Sequence, residues 1–181
     1  MVGNGIVVLE PLVYVSMTSP LDELFLAASE TGLCRIAWET SEAAFAAELA
    51  GEWDRPAQRV EREDSGVLAQ ACQQIEDYFA ARRREFDVPL DLSRLRPFQR
   101  QILTALRQVP YGDVISYGEL AAVAGYRGAA RAVGGAMRGN PLPIVIPCHR
   151  VVLGSGALGG FGGRPELKRQ LLAIEGWGND G

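Results

Sequence analysis

The sequence predicts an α/β domain followed by a helical domain with a helix-turn-helix, which is an α+β architecture overall. β-branched and aromatic runs separated by turn chemistry lie within residues 12–38, and apolar residues recur at helical spacing after residue 65. Residues 82–94, which contain three adjacent arginines and a Val-Pro pair, look like a linker. We therefore place the domains at residues 1–90 and 91–181.

The first domain is predicted to begin with an antiparallel meander. Its strand-like runs cover residues 12–17, 21–28 and 33–38, and residues 29–32 (Ser-Glu-Thr-Gly) have turn chemistry. Ser41 precedes an alanine-rich helix that extends to about Leu49. Ser65 precedes a second helix, with apolar residues at helical spacing as far as Phe79.

The second domain is predicted to be helical from Pro97 onward, because proline is well tolerated in the first turn of a helix. Apolar residues at helical spacing give this helix one buried face: Phe98, Ile102, Leu103, Leu106 and Val109. Ser116 and Glu119 form a capping box that opens another helix, to about Ala124. A turn with two glycines at residues 125–128 leads to a further helix at 129–138, which completes a helix-turn-helix pattern.

Two glycines, Gly134 and Gly135, lie in the middle of the second helix of this motif. Each costs a helix about 1 kcal/mol relative to alanine, so the space they leave should have a use. Either another element of the fold packs there, or a ligand backbone approaches closely. Arg131 and Arg138 flank the glycines and favour a polyanion, although tight helix packing stays open at this point.

Cys148 and His149 are adjacent, and His149 is the sole histidine of the chain. Residues 144–146 (Ile-Val-Ile) predict a short buried strand that delivers the thiol, and Pro147 ends it. An imidazole can take a thiol proton, but neighbours in a strand point to opposite faces. The pair should therefore lie in a turn or helix start, or communicate through water. Glu175, at the end of the last helix, is a candidate partner for His149 or an ordinary surface residue.

The other two cysteines, Cys34 and Cys72, are expected to fill the core, since they lie in a strand and on an apolar helical stripe. An odd number of cysteines without CxxC spacing supports neither a disulfide framework nor a metal site, so we expect no metal, no cofactor and a cytoplasmic location. No membrane segment is expected, because Asn4, Glu10 and Pro11 interrupt the apolar start.

Charge is distributed unevenly along the chain. Residues 1–90 hold 16 acidic residues against seven arginines, whereas residues 91–150 hold three acidic residues against eight arginines. Salt screens exposed charges that lie more than about 10 Å apart, so a basic face can act despite an acidic rear. The second domain is therefore the part of the chain that we expect to meet a polyanion.

Three segments together resemble the O6-alkylguanine-DNA alkyltransferases, also called methylated-DNA–protein-cysteine methyltransferases. They are residues 130–137 (Ala-Arg-Ala-Val-Gly-Gly-Ala-Met), 138–141 (Arg-Gly-Asn-Pro) and 147–150 (Pro-Cys-His-Arg). The likeness extends from about residue 111 to 175. It implies a ribonuclease-H-like first domain and a helical, winged-helix-like second domain that binds double-stranded DNA.

The resemblance also implies the activity and the catalytic residues. Cys148 would take the alkyl group from O6-alkylguanine, and from O4-alkylthymine, once per molecule. His149 would act as a base through a water, and Glu175 would orient it. Tyr117 would help to turn the base out and donate to the guanine ring, and Asn140 would hold the thiol and its turn.

For DNA binding, the resemblance implies a monomer, with possible cooperativity along the duplex, whose second motif helix enters the minor groove. Arg131 would fill the gap left by the flipped nucleotide, with Ala130, Gly134, Arg138 and Tyr117 around it. The substrate pocket would be formed by five residues: Met137, Val151, Phe161, Gly162 and Gly163. The family often has a tyrosine and a serine in the lid at residues 159–163; here Phe161 can still stack on the base but lacks the hydroxyl, and backbone amides near Gly162 and Gly163 could still contact O6.

Three other functions fit parts of the pattern. A lesion-binding relative would flip alkylguanine without accepting the group, but such proteins replace the cysteine, which is present here. A hydrolase with a Cys-His-Glu triad would turn over many times. A helix-turn-helix regulator would not need Cys148.

Overall fold

The computed structural model describes residues 10–162 and 164–178. The strands are β1 (Leu12–Thr18), β2 (Glu23–Ala28), β3 (Leu33–Trp38), β4 (Ala57–Arg59), β5 (Ile115–Ser116) and β6 (Val151–Val152). The helices are α1 (Glu42–Trp53), α2 (Gly66–Phe79), α3 (Pro97–Leu106), α4 (Tyr117–Val123), α5 (Ala130–Arg138) and α6 (Pro165–Ile174). Short 3₁₀ helices cover Arg62–Asp64 and Cys148–Arg150.

The first domain contains a four-stranded sheet in the order β3-β2-β1-β4. Antiparallel pairing of β1 with β2 and of β2 with β3 confirms the predicted meander. The sequence did not predict β4, which pairs with β1 in parallel. Three residues of mostly polar character carry too little periodicity to be recognised as a strand.

Each face of this sheet is covered by one helix, because alternate residues of a strand point to opposite faces. The α1 face forms a small apolar cluster: Leu12, Tyr14, Phe25, Ala27, Cys34, Phe45 and Leu49. The other face packs on α2 and joins a larger cluster that continues into the second domain. Cys34 and Cys72 are 3% and 1% exposed, which confirms that both fill the core.

The second domain contains the predicted helix-turn-helix. Ser116 accepts a hydrogen bond from the Glu119 amide, and the Glu119 carboxylate accepts one from the Ser116 amide, so the predicted capping box opens α4. Gly125 and Gly128 have φ of 86° and 83° in the turn before α5, a conformation that glycine adopts without strain. No helix of the described residues is long and apolar enough to cross a membrane.

The segment at residues 144–146 is a turn, so the predicted strand is wrong there. The residues are buried as expected, but Ile144 has a φ of 74°, which a β-branched residue rarely adopts. Prolines at 141, 143 and 147 remove three backbone donors and prevent a regular ladder. The turn is closed instead by local bonds, with the Ile146 amide donating to the Leu142 carbonyl at 2.8 Å.

The domains meet along the end of β3. The Ile36 amide donates to the Pro141 carbonyl at 2.8 Å, and the Trp38 ring stacks on Phe161 with centroids 6.4 Å apart. The linker also packs on β3, since the Asp91 amide donates to the Leu33 carbonyl. The boundary between residues 90 and 91 stays a prediction. These contacts join the first domain to the turn that precedes Cys148, at Pro141, and to the loop that contains Phe161.

Candidate functional site

Cys148 lies at the start of a 3₁₀ helix directly after Pro147, and it is 8% exposed. The Asn140 amide donates to its sulfur at 3.2 Å and to the Ile146 carbonyl at 2.9 Å. Asn140 also accepts from the Leu142 amide, so one side chain holds both the turn and the thiol. Burial raises the pKa of Cys148, and the Asn140 hydrogen bond opposes part of that rise. The resting group is therefore a thiol at neutral pH.

Asn140→Ala is expected to raise the pKa of Cys148 further, because the thiolate loses its side-chain donor. Alkylation of Cys148 by iodoacetamide should slow by roughly 3- to 10-fold at neutral pH, since the thiolate is the reactive form. Peptide mass spectrometry across a range of pH measures this rate.

Gln99→Ala is the matched control for this variant. The Gln99 amide donates to the carbonyls of Ala136 and Gly139, so it supports the neighbouring segment and donates no hydrogen bond to the sulfur. Equal slowing in both variants would mean that Asn140 acts only by holding the turn.

His149 has no exposed surface, and its Nε2 lies 2.7 Å from Oε1 of Glu175. An ionised carboxylate only accepts, so Nε2 carries the proton and Nδ1 has the free lone pair. Within the described residues, Nδ1 is the buried side-chain nitrogen without a hydrogen-bond partner. Burial lowers the pKa of His149, although Glu175 opposes this, so the ring is neutral. A neutral imidazole with a free Nδ1 is a base ready to take a proton.

Glu175 caps the end of α6, where a carboxylate faces the negative end of the helix dipole. Its two oxygens accept five hydrogen bonds: one from His149, two from Arg150 at 2.9 Å, one from the Tyr78 hydroxyl at 2.8 Å and one from the Gly112 amide at 3.2 Å. Burial acts to raise the pKa of Glu175, but the bonds from His149 and Arg150 outweigh it and lower the pKa to about 2. The carboxylate is thus ionised and fixed.

A cavity of about 630 Å³ opens over the thiol. Its lining includes these residues: Trp38, Tyr117, Ala130, Arg131, Gly134, Met137, Arg138, Asn140, Pro143, Cys148, Phe161 and Gly162. Burial and the nearby Cys148 raise the pKa of Tyr117, which keeps its hydroxyl protonated and able to donate. The structure therefore brings most of the predicted site residues around one space.

Two predicted pocket residues need separate mention. Val151 is fully buried in β6, paired with Ile115, and is not among the residues that line the cavity. Gly163 lies outside the described residues. His149 and Glu175 lie behind the thiol and outside the lining. Cys148 thus lines the cavity, whereas the buried His149–Glu175 pair does not.

The glycines of α5 have no packing role inside the protein. A Cβ on Gly134 would come no closer than 3.9 Å to Tyr117, and one on Gly135 no closer than 3.9 Å to Arg138, which are ordinary contact distances. Of the two explanations left open by the sequence, close helix packing is therefore disfavoured. Because they carry no side chain, the two glycines leave open space on the surface of α5 beside Arg131.

Four residues of the site were missed from the sequence: Trp38, Tyr78, Arg150 and Lys168. Trp38 and Tyr78 belong to the first domain, and nothing local marks them. Arg150 is 5% exposed, and its buried charge is paired with Glu175. Lys168 has no exposed surface, donates to the carbonyls of Val151 and Leu158, and has its pKa lowered to about 8 by burial. The lone lysine of the chain was the available signal for that position.

Within residues 10–162 and 164–178, no group of three His, Cys, Asp or Glu side chains is arranged to hold a metal ion.

Two family models match the chain. The 6-O-methylguanine DNA methyltransferase DNA binding domain matches residues 97–177, and the ribonuclease-like domain of the same methyltransferase matches residues 12–92. The chain belongs to the 6-O-methylguanine DNA methyltransferase family. Membership covers both domains and confirms the predicted ribonuclease-like first domain and the helical DNA-binding second domain.

Other members of the methyltransferase family are similar over most of their length. The chain is 37% identical to the constitutive methylated-DNA–protein-cysteine methyltransferase of Bacillus subtilis, over 90% of this chain and 94% of the relative. It is 42% identical to the human methylated-DNA–protein-cysteine methyltransferase, over 89% and 79%. The Mycobacterium tuberculosis O6-methylguanine methyltransferase superposes with a TM-score of 0.74 at 38% identity, covering 91% and 92%. The same organism's OGT in complex with DNA gives 0.75 at 37% identity, covering 90% and 92%.

Proposed function

We propose that this protein repairs O6-alkylguanine in DNA by transferring the alkyl group to the sulfur of Cys148. Family membership gives the reaction class. The observation that carries the assignment to Cys148 is its position: a buried thiol at the base of a cavity, with a free imidazole nitrogen of His149 behind it. Attack at O4-alkylthymine follows the same chemistry and is part of the proposal.

The transfer reaction balances in atoms and electrons without a cofactor. The Cys148 sulfur attacks the alkyl carbon on O6, so a carbon–sulfur bond forms and the carbon–oxygen bond breaks. The electron pair of the broken bond stays on guanine, and the thiol proton is returned to the guanine ring. The products are unmodified guanine and a thioether. Because a thioether is inert and the thiols of Cys34 and Cys72 have pKa values raised by burial to about 12 and about 11, one molecule repairs one lesion.

Proton movement follows from the two shifted pKa values. The Cys148 pKa is raised, so a base must act as the thiolate forms, and His149 is neutral with Nδ1 unpaired. The sulfur accepts from Asn140, and within the described residues neither ring nitrogen of His149 bonds it, so transfer runs through a water. Glu175 fixes the tautomer. Tyr117 donates to the departing guanine, where negative charge develops.

The lesion is hidden in the base stack, so the nucleotide must be flipped into the cavity at a cost of a few kcal/mol. We assign α5 to the minor groove of double-stranded DNA, because Gly134 and Gly135 let a backbone approach closely. Arg131 fills the gap in the stack, with Ala130 and Arg138 beside the phosphates. Met137, Phe161 and Gly162 hold the base.

The protein acts as a monomer. Cooperative binding along DNA and a cytoplasmic location stay predictions.

The geometry disfavours the hydrolase alternative. In hydrolases of the cysteine–histidine type, the thiol is hydrogen-bonded directly to the imidazole. Here the side-chain partner of the sulfur is the Asn140 amide, which donates a hydrogen bond to it. A lesion-binding protein or a transcriptional regulator does not need a base beside the thiol, so neither alternative explains the buried hydrogen bonds of His149 and Arg150 to Glu175.

Intact-mass spectrometry after incubation with an oligonucleotide that contains O6-methylguanine tests the function. We expect one methyl group per protein, on Cys148 by peptide mapping, and a reaction that stops near one equivalent. Cys148→Ser should gain no mass and should still bind the duplex. Cys34→Ser and Cys72→Ser are matched controls that should react normally. An unmodified wild-type Cys148, or continued turnover, would contradict the proposal.

A further inference from the structure

The Tyr78 hydroxyl connects the first domain to the His149–Glu175 pair. Tyr78 lies on α2, has no exposed surface, and donates to Oε1 of Glu175 at 2.8 Å. The same hydroxyl is 3.5 Å from Nε2 of His149. A buried tyrosine hydroxyl needs an acceptor, and many backbone carbonyls would serve. Here the acceptor is Oε1 of Glu175, the same oxygen that accepts the hydrogen bond from Nε2 of His149.

Three donors share that oxygen. They are the Tyr78 hydroxyl at 2.8 Å, Nε2 of His149 at 2.7 Å and Nη2 of Arg150 at 2.9 Å. Each donor disperses part of the negative charge on Oε1 and so weakens its attraction for the other two. Because Arg150 is always charged, the hydroxyl is the one neutral donor that competes with the imidazole. Burial, the larger cause, and the nearby Glu175 both raise the pKa of Tyr78, so the hydroxyl keeps its proton.

The ring of Tyr78 is held independently of its hydroxyl. Phe79, Phe86 and Tyr111 pack around it with centroid distances of 5.5, 5.6 and 6.1 Å. Tyr111 in turn donates to the Ile174 carbonyl at 2.7 Å. Removal of the Tyr78 hydroxyl alone therefore leaves the packing in place and changes only the hydrogen bonds at Glu175.

We propose that Tyr78 is a positioning residue through which the first domain sets the proton affinity of His149, and with it the pH range in which Cys148 reacts. This inference rests on the proposed function. Besides Tyr78, the charged groups that act on the His149–Glu175 pair are Arg150 and Lys168, and Tyr111 acts on Tyr78 itself. All of them stay in place in a Tyr78→Phe variant, which isolates the contribution of the hydroxyl.

The direction of the effect follows from charge. Without the hydroxyl, Oε1 of Glu175 carries more negative charge and stabilises the protonated imidazole. The pKa of His149 then rises, and the neutral ring, which is the base, is lost at a higher pH. Tyr78→Phe should therefore move the acid limb of the pH–rate curve for alkyl transfer upward by about half a unit to one unit. At alkaline pH the rate should stay within about 2-fold of wild type.

The experiment measures single-turnover methyl transfer to the full-length protein across a range of pH. Tyr111→Phe is the matched control, since it removes a neighbouring hydroxyl whose acceptor is the Ile174 backbone. Its acid limb should not move. A uniform loss of rate at every pH in Tyr78→Phe would mean a merely structural role and would overturn the inference. If wild type itself gains no methyl group, the proposed function has failed instead.

A second measurement keeps the inference testable if Tyr78→Phe folds poorly. His149 is the one histidine in the sequence, so its imidazole gives a single titrating NMR signal. Labelling all tyrosines with 3-fluorotyrosine makes the hydroxyl a stronger donor, so the His149 midpoint should fall. Tyr111→Phe with the same label separates the two tyrosines. An unchanged midpoint in the labelled protein would overturn the inference.

Discussion

Glu175→Gln should destabilise the fold and nearly abolish alkyl transfer. The variant leaves the guanidinium of Arg150, 5% exposed, without its carboxylate partner, and breaking a buried ion pair costs about 3–5 kcal/mol. It also removes the group that fixes the His149 tautomer, so the transfer rate should fall by about 10² to 10⁴. Urea unfolding and single-turnover kinetics measure the two effects.

The stability loss should depend on pH with a definite sign. The pKa of Glu175 is about 2 in the folded protein against 4.5 for an ordinary glutamate. A lowered folded-state pKa stabilises the fold fully above 4.5, and this contribution, about 3 kcal/mol, is lost as pH falls toward 2. Wild type and Glu175→Gln should therefore converge in stability in acid. Glu166→Gln, on the same helix but exposed, should stay within about 0.5 kcal/mol of wild type throughout. A pH-independent difference would contradict the assignment.

Arg131→Ala should slow repair of duplex DNA by roughly 10- to 100-fold, because the flipped state would lose the side chain that we propose replaces the base in the stack. The free base O6-benzylguanine needs no flipping, so its transfer to Cys148 should be unchanged. The ratio of the two rates, measured by mass spectrometry, isolates flipping from chemistry. The duplex affinity of Cys148→Ser should change much less than flipping does in Arg131→Ala.

Arg127→Ala is the matched control, since Arg127 is an exposed arginine in the turn of the same motif and does not line the cavity. It should lower duplex affinity modestly through lost phosphate attraction, with a normal rate once DNA is bound. An equal rate defect on the free base and the duplex would contradict the role of Arg131.

Features with local causes could be predicted from the sequence. The meander follows from strand-length apolar runs with turn residues between them, and the capping box follows from Ser116 and Glu119 three residues apart. Adjacency also correctly indicated a turn or helix start for Cys148 and His149, which lie in a 3₁₀ helix that begins at Cys148. In each case the interaction joins residues that are close in the chain.

Features with distant causes could not be predicted. Tyr78 meets Glu175 from 97 residues away, and its neighbours in α2 give no sign of that contact. Ile144 has a positive φ that its own chemistry disfavours, and only the closed turn around it supports that conformation. The apolar segment was therefore predicted as a strand. Trp38 lies in the cavity wall because β3 ends there, which only the packed domains reveal.

The separation of 97 positions between Tyr78 and Glu175 also bears on how the protein is made. At about 5–20 residues per second, a ribosome takes roughly 5 to 20 s to add Glu175 after Tyr78. Cys148 and His149 are synthesised before Glu175, so a growing chain has the thiol and the imidazole without the carboxylate that aligns them. A nascent chain therefore lacks the assembled site, so repair should begin only once the chain is complete enough for Glu175 to fold against His149.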